Sequence, residues 1–295
     1  VTATDSFAAA LRKALRRQTR RMRDNVAGAV AGADPEHVHD LRVATRRARF
    51  ALRLAEGRRG NEQAAALRAE LGWIAGLLGE ARDLDVLASR LKRTFRDVEA
   101  PPAVRRAMAR YFAERREEIG AQLGSALESE RWALLLAALT GDFPGDQTIA
   151  NGGDPAAKIA PKRILRAAKK LRRLLGDGPL RDAQAHHEVR IAAKRLRYTC
   201  EFFADLYDER LTAFVRELVR TQDELGAHHD AEVANARLQE IAVALAQLER
   251  GLSGTIARLR RVERARQKQA AAAFAKRIPR LRRRLYRLEE IIAGG

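Results

Sequence analysis

Cysteine, methionine and tryptophan are nearly missing from this chain of 295 residues, with one, two and two copies. With Cys200 alone, an internal disulfide is impossible and a cysteine-based zinc site is excluded, which suits a reducing cytoplasm. Cys200 itself reads as a small apolar core residue. Alternating β-branched runs are absent, so nothing signals a strand. Long apolar runs are absent too: "WALLLAAL" at 132–139 is far short of the roughly 20 residues that span a bilayer, and membrane insertion is not expected. No targeting segment is legible at the start, which opens on Val1. There is no "GxxxxGK[ST]", no "GxGxxG" and no "HExxH", and Ser6, Ser89, Ser125, Ser129 and Ser253 sit in no nucleophile context. Nothing requires catalysis, and no cofactor is expected. Negative charge is also scarce: 38 acids face 57 Lys and Arg, giving a formal net charge of +19 and a pI near 11.1. Such an imbalance predicts an anionic partner: nucleic acid, an acidic membrane surface or another polyanion.

What is abundant is helix former. Ala, Leu, Arg and Glu dominate, and the spacing predicts an all-α protein with helices near 4–31, 35–56, 61–93, 102–139, 155–175, 183–205, 209–250 and 252–292. Asp34-Pro35 and Asp154-Pro155 read as an N-cap followed by a first-turn proline. Pro279 is expected to kink or split the last helix. "GDFPGDQTIANGGDP" at 141–155 lacks helical periodicity and reads as a linker between a first half, 1–140, and a second half, 156–295.

Each half carries one version of the same segment. "HDLRVATRRARF" at 39–50 and "HEVRIAAKRLRY" at 187–198 lie 148 residues apart, with five identical and five conservatively replaced positions. "LLGEARDLDV" at 77–86 matches "ELGAHHDAEV" at 224–233, and Lys13, Arg17 and Arg20 correspond to Lys162, Arg166 and Lys169. Three segments in the same order imply a duplicated helical unit, expected to pair about a pseudo-two-fold axis.

At 100° per residue, His39, Arg42, Arg46, Arg49 and Arg53 fall within about 80° of arc. Leu41, Thr45, Ala48 and Leu52 lie opposite, and Val43, Phe50 and Leu54 lie on the other flank. The second copy repeats these angles with His187, Arg190, Lys194 and Arg197, while Glu201 replaces Arg53 and ends the stripe early. A surface helix normally has one apolar face and one broad polar face. A narrow cationic stripe with apolar shoulders instead predicts a wet basic groove or cavity built for an anion. The opening helices of the halves present Lys13, Arg17 and Arg20, and Lys162, Arg166, Lys169 and Arg173, as a second tier of ligand candidates. The basic "RLRRRLYRL" at 280–288 reads as a solvated end or a nonspecific phosphate contact.

Six histidines occur as His37/His39, His186/His187 and His228/His229, none at the spacing that puts two ligands on one helical face, so no metal site is expected. His39, His187 and His229 read as donors to an anion or as orienters of neighbouring side chains. His37, His186 and His228 read as partly exposed helix-end residues. Asp83, Asp85, Asp230 and Glu232 imitate a paired-carboxylate site, but i and i+2 diverge on a helix, and pairing with arginine or fixing helix ends is the expected role.

Taken together, "HDLRVATRRAR", "HEVRIAAKRLRY", "LGEARDLDV" and "LGAHHDAEV" resemble the CHAD family, the conserved-histidine α-helical domain, over essentially the whole chain. The resemblance implies two helical bundles of about four helices each about a pseudo-two-fold axis and a basic central cavity. It also implies binding of inorganic polyphosphate and association with polyphosphate granules. Carried over position by position, it points to His39, Arg42, Arg46, Arg47, Arg49, His187, Arg190, Lys194, Arg195, Arg197 and His229. Arg82 stands where the second copy has His229, so the halves need not contact a ligand equally. Arg47 and Arg195 lie off the main stripe, near its shoulder. The expectation is a non-enzymatic polyphosphate binder. Its rivals are a nucleic-acid binder resting on weak, nonspecific phosphate contacts, a metal-dependent polyphosphatase using Asp83, Asp85, Asp230 or Glu232, and a helical scaffold for an acidic protein.

Overall fold

In a computed structural model the chain is described over residues 1–32, 34–56, 61–141, 149, 151–176, 178, 180, 182–245 and 252–293. Nine α-helices and no strand are found among these residues: α1 Phe7–Ala31, α2 Pro35–Glu56, α3 Glu62–Asp97, α4 Pro102–Glu128, α5 Glu130–Thr140, α6 Ala156–Leu175, α7 Ala183–Phe202, α8 Glu209–Ala244 and α9 Leu252–Ala293. A single 3₁₀ turn, Ala204–Leu206, follows α7.

Side-chain caps set most of the starts. Ser6 accepts from Ala9 N, Asp34 from Glu36 N, Asn61 from Ala64 N, Asp182 from Ala185 N and Asp208 from Arg210 N. Asp34 and Pro35 therefore open α2 as their types dictate. The helix expected over 102–139 is broken. Ser129 adopts an extended conformation, accepts from Trp132 N at 3.2 Å and donates to Ala126 O at 2.6 Å, ending α4 and starting α5. Pro279 does not split the last helix; α9 runs through it with the proline exposed.

The described residues form two compact units. The first takes residues 4–93 and 108–156; the second takes 1–3, 94–107 and 157–295. In the first unit α1 packs on α2 and on α5. Phe7, Leu11, Leu15 and Met22 of α1 and Leu41 and Leu52 of α2 are at most 1% exposed, and Thr45 donates to the Met22 sulfur at 3.5 Å. Gly28 is fixed by a close approach: a Cβ there would fall 2.2 Å from the His37 ring, which is hydrogen-bonded to Asn25. Of the expected linker, 142–148 and 150 lie outside the described residues. Its remainder is docked, with Ile149 buried and Asp154 O and Gly152 O accepting from Phe7 N and Ala8 N.

In the second unit α8 packs on α9 and on α7. Phe203, Phe214, Phe274 and Leu281 are among its fully buried residues. Cys200 is buried beside them, and burial pushes its thiol pKa well up, so it is the core residue its type suggests. A carboxylate network ties α9 to α8: Glu217, almost wholly buried, meets Arg277 at 3.0 Å and Arg280 at 3.3 Å, while Arg277 also meets Glu224 at 2.5 Å. Residues 94–107 belong to this unit, with Arg258 donating to Val98 O and Arg266 to Thr94 Oγ1. No helix among the described residues is long and apolar enough to cross a membrane.

Candidate functional site

The α2 stripe sits where the wheel puts it. Leu41, Ala44, Thr45, Ala48 and Leu52 are fully buried and fix the rotation of the helix. His39, Arg42, Arg46 and Arg49 are consequently half-buried, and of the row only Arg53 is exposed. Val43 and Phe50 are half-buried and Leu54 is buried, so the apolar shoulder exists. Arg42, Arg49 and Arg53 form no ion pair with the described residues. Arg49 is the most confined. Its guanidinium lies over Gly72 of α3, where a Cβ would come within 3.5 Å of it, and its Nε is buried without a hydrogen-bond acceptor among the described residues. Burial, together with the charges of Arg68 and Arg53, lowers its pKa. Arg68, in turn, is ion-paired with Glu56.

The α7 row has the same form and a different finish. Val189, Ala192, Ala193 and Leu196 are buried, leaving His187, Arg190, Lys194 and Arg197 half-buried. Arg197 is partly engaged by its own helix, 3.4 Å from Glu201 one turn on and 4.9 Å from the Tyr198 ring. In this unit α8 adds a second element to the row. His229 stacks at a tilt on His187, with ring centroids 5.7 Å apart, and its Nδ1 lies 3.7 Å from Glu232. Burial first, then the charge of Arg190, lowers the His229 pKa.

His186 is a partly exposed residue of the first turn of α7, as expected, but His228 is not a helix-end residue. His228 lies mid-way along α8, is only 7% exposed, and stacks face to face on His186 at 4.5 Å and 7°. Phe274 closes against His186 edge-on at 6.2 Å, and Gln267 Nε2 is 3.4 Å from His228 Nε2. Two adjacent histidines on each of two helices thus make two ring contacts side by side, a pattern the doublets at 186–187 and 228–229 could have signalled.

Arg47 and Arg195 are half-buried, as is Arg82 on α3. Among the second tier, Lys13 is held by Asp5 at 2.6 Å, and Arg17 and Arg20 stand exposed on the same face of α1. Lys162, Arg166, Lys169 and Arg173 are exposed on α6. The segment 280–288 is not a solvated end: Leu281, Leu285 and Leu288 are buried, and Arg280 and Arg282 are bonded within the unit. Of the four acids, Asp85 pairs with Arg116 at 3.4 Å and Glu232 faces His229. No group of three or more His, Cys, Asp or Glu close enough to hold a metal occurs among the described residues.

Among the described residues, nine helices and no strand define the class, an all-α protein in which α2 and α7 each bury one face and carry basic side chains on another. The CHAD domain family profile matches residues 13–239, and the chain belongs to that family. It is 34% identical over 217 residues to the uncharacterized proteins Rv2226 and MT2285 of two strains of Mycobacterium tuberculosis. That match takes in 70% of this chain and 40% of each relative, so the chain spans well under half the length of the curated relatives it matches. The crystal structure of the CHAD domain from the plant Ricinus communis is similar at a TM-score of 0.72 and 27% identity, over 97% of this chain and 93% of that one. PptA from Streptomyces chartreusis shares the fold at a TM-score of 0.69 and 18% identity, over 92% and 99% of the two chains.

Proposed function

We propose that this protein binds inorganic polyphosphate without turning it over, through His39, Arg42, Arg46, Arg49 and Arg53 of α2 and His187, Arg190, Lys194 and Arg197 of α7. One observation carries the reading: Arg42 and Arg49 are half-buried beside a buried apolar face, and neither is ion-paired with the described residues. A cation withdrawn from water without a carboxylate is costly unless an outside anion completes it. A polyphosphate thread offers closely spaced negative charge and no bases. Arginine forks meet phosphate oxygens with two hydrogen bonds each, and lysine adds a mobile point charge. The shortage of aromatics along both rows disfavours a single-strand stacking platform. The two rows are copies of one another in sequence, and each supplies its own contacts to one long chain. The duplication, a basic groove for the thread and location at polyphosphate granules belong to the same proposal.

The test is a titration with polyphosphates of graded length, at two salt concentrations, on the wild type and on Arg46→Glu/Lys194→Glu. Each lost charged hydrogen bond is worth about 1.5–3 kcal/mol, so the double variant is expected to bind at least about 100-fold more weakly with unchanged helical content. Unchanged affinity removes the site. If duplex or single-stranded DNA displaces long polyphosphate at equal phosphate concentration, the nucleic-acid reading replaces this one. Turnover of labelled polyphosphate with Mg²⁺ or Mn²⁺ that disappears on changing Asp83, Asp85, Asp230 or Glu232 makes the protein an enzyme instead.

A further inference from the structure

The second unit contains a cavity of about 530 Å³ between α6 and α9, set off from the α7 row by its own lining. From α6 come Arg166, Lys169, Lys170, Arg172 and Arg173; from α9 come Arg282 and Tyr286. No acid lines it. The carboxylate beside it, Glu289, is mostly exposed and reaches Arg172 at 3.4 Å.

We propose that this cavity is a second phosphate site, taking a compact ligand that carries several phosphates on one small frame rather than a long thread.

Its two central arginines are positioned before any ligand arrives. Arg282 donates to Leu175 O at 3.0 Å and to Gly178 O at 3.2 Å. These bonds hold its guanidinium at the carbonyl end of α6 and offset the partial negative charge there, which would otherwise repel an anion. Arg172 is held over the Tyr286 ring at 4.9 Å. Gly176, at a φ of +51°, turns the chain away just past the last helical residue, in a conformation other residue types adopt only under strain. Lys169 and Lys170 stay exposed, so fixed forks are combined with point charges on flexible stems.

Size and charge together select the ligand. The volume is that of a small-molecule pocket. Six cations, with no acid among the described lining residues, call for a ligand with several negative charges in a short span. Inorganic tripolyphosphate, a nucleoside triphosphate and an inositol polyphosphate share that chemistry. Tyr286 is 60% exposed and offers ring surface that a nucleobase could use and the other two could not.

Calorimetry on the full chain at about 0.15 M salt tests the site with tripolyphosphate, ATP and inositol hexakisphosphate in parallel. At least one is expected to bind with one-to-one stoichiometry. Lys170→Glu/Arg172→Gln should weaken it by on the order of tenfold. Lys170→Glu alone, at an exposed position, should give a smaller loss in the same direction and guards against misfolding of the double variant. Tyr286→Ala should weaken ATP selectively if the nucleotide is the ligand. The row variant Arg46→Glu/Lys194→Glu should leave the compact ligand within about threefold of wild type. No binding by any of the three, or loss with the row variant and not with the cavity variants, overturns the cavity site. Neither result touches the proposed function, which long polyphosphate on the row variant decides separately.

Discussion

Arg277 and Arg49 are the same residue type, each on a long helix and each half-buried, in opposite company. Arg277 of α9 is clasped by Glu224 and Glu217, and those hydrogen bonds push its pKa up. Arg49 of α2 has Arg68 and Arg53 as its charged neighbours, and burial lowers its pKa. The first arrangement joins two helices of one unit. In the second, Arg49 is ion-paired with none of the described residues. What an arginine does here is therefore read from the acids around it, not from the helix it decorates.

Four measurements can break or sharpen that contrast. The largest effect on stability is expected from Arg277→Ala, which strips the buried Glu217 of its nearest partner. The cost should be about 2 kcal/mol, less than for a fully buried triad because Arg277 and Arg280 keep contact with water. Chemical denaturation reads this, and polyphosphate affinity should not change. Arg49→Ala should do the reverse: no loss of stability, since a crowded cation is removed, and a drop in polyphosphate affinity of about tenfold. A stability loss equal to that of Arg277→Ala would make Arg49 a structural residue. The salt dependence of polyphosphate binding should shrink with it, the slope of log affinity against log salt falling by about 0.7 for the lost contact.

The smallest effect is in pH. Burial first, and then the neighbouring His186, lowers the pKa of His228; His229 shifts the same way. Both imidazoles bind protons less readily in the folded chain than their usual value near 6.5, so the unfolded chain takes up more protons below that pH. Stability is then full above about 6.5 and declines as the pH falls toward the lowered folded values. Thermal melts at pH 7.5 and 5.5 should differ by a few degrees in the wild type and by less in His228→Gln. An equal drop in both would clear His228 of the role.

Much of the fold could be read from the chain. α2 begins and ends where the Asp34-Pro35 cap and the apolar period place it, because both signals are local. The rotation of α2 and α7 was legible for the same reason: one buried face fixes where every arginine points. Legibility fails where the cause is not local. The break at Ser129 is hidden because the apolar period continues through it, and a single hydroxyl bonding to two backbone groups decides the outcome. His228 looked exposed because its partner His186 lies on another helix, and no period within α8 announces a ring that stacks elsewhere. The α6–α9 cavity escaped for a similar reason, since Arg172, Arg282 and Tyr286 acquire meaning only when two distant segments meet. The linker at 141–155 suggested two contiguous halves, yet 94–107 is counted with the residues that follow it by more than a hundred positions.

That last assignment bears on how the molecule is made. Val98 and Thr94 leave the ribosome 160 and 172 residues ahead of Arg258 and Arg266, the side chains that bond to them. A nascent chain stalled after α8 would have these early residues translated and their partners missing. Maturation of the second unit is thus tied to translation of α9 rather than to the passing of any midpoint, and a fragment starting at 157 would keep α8 but lack the acceptors that Arg258 and Arg266 of α9 bond to.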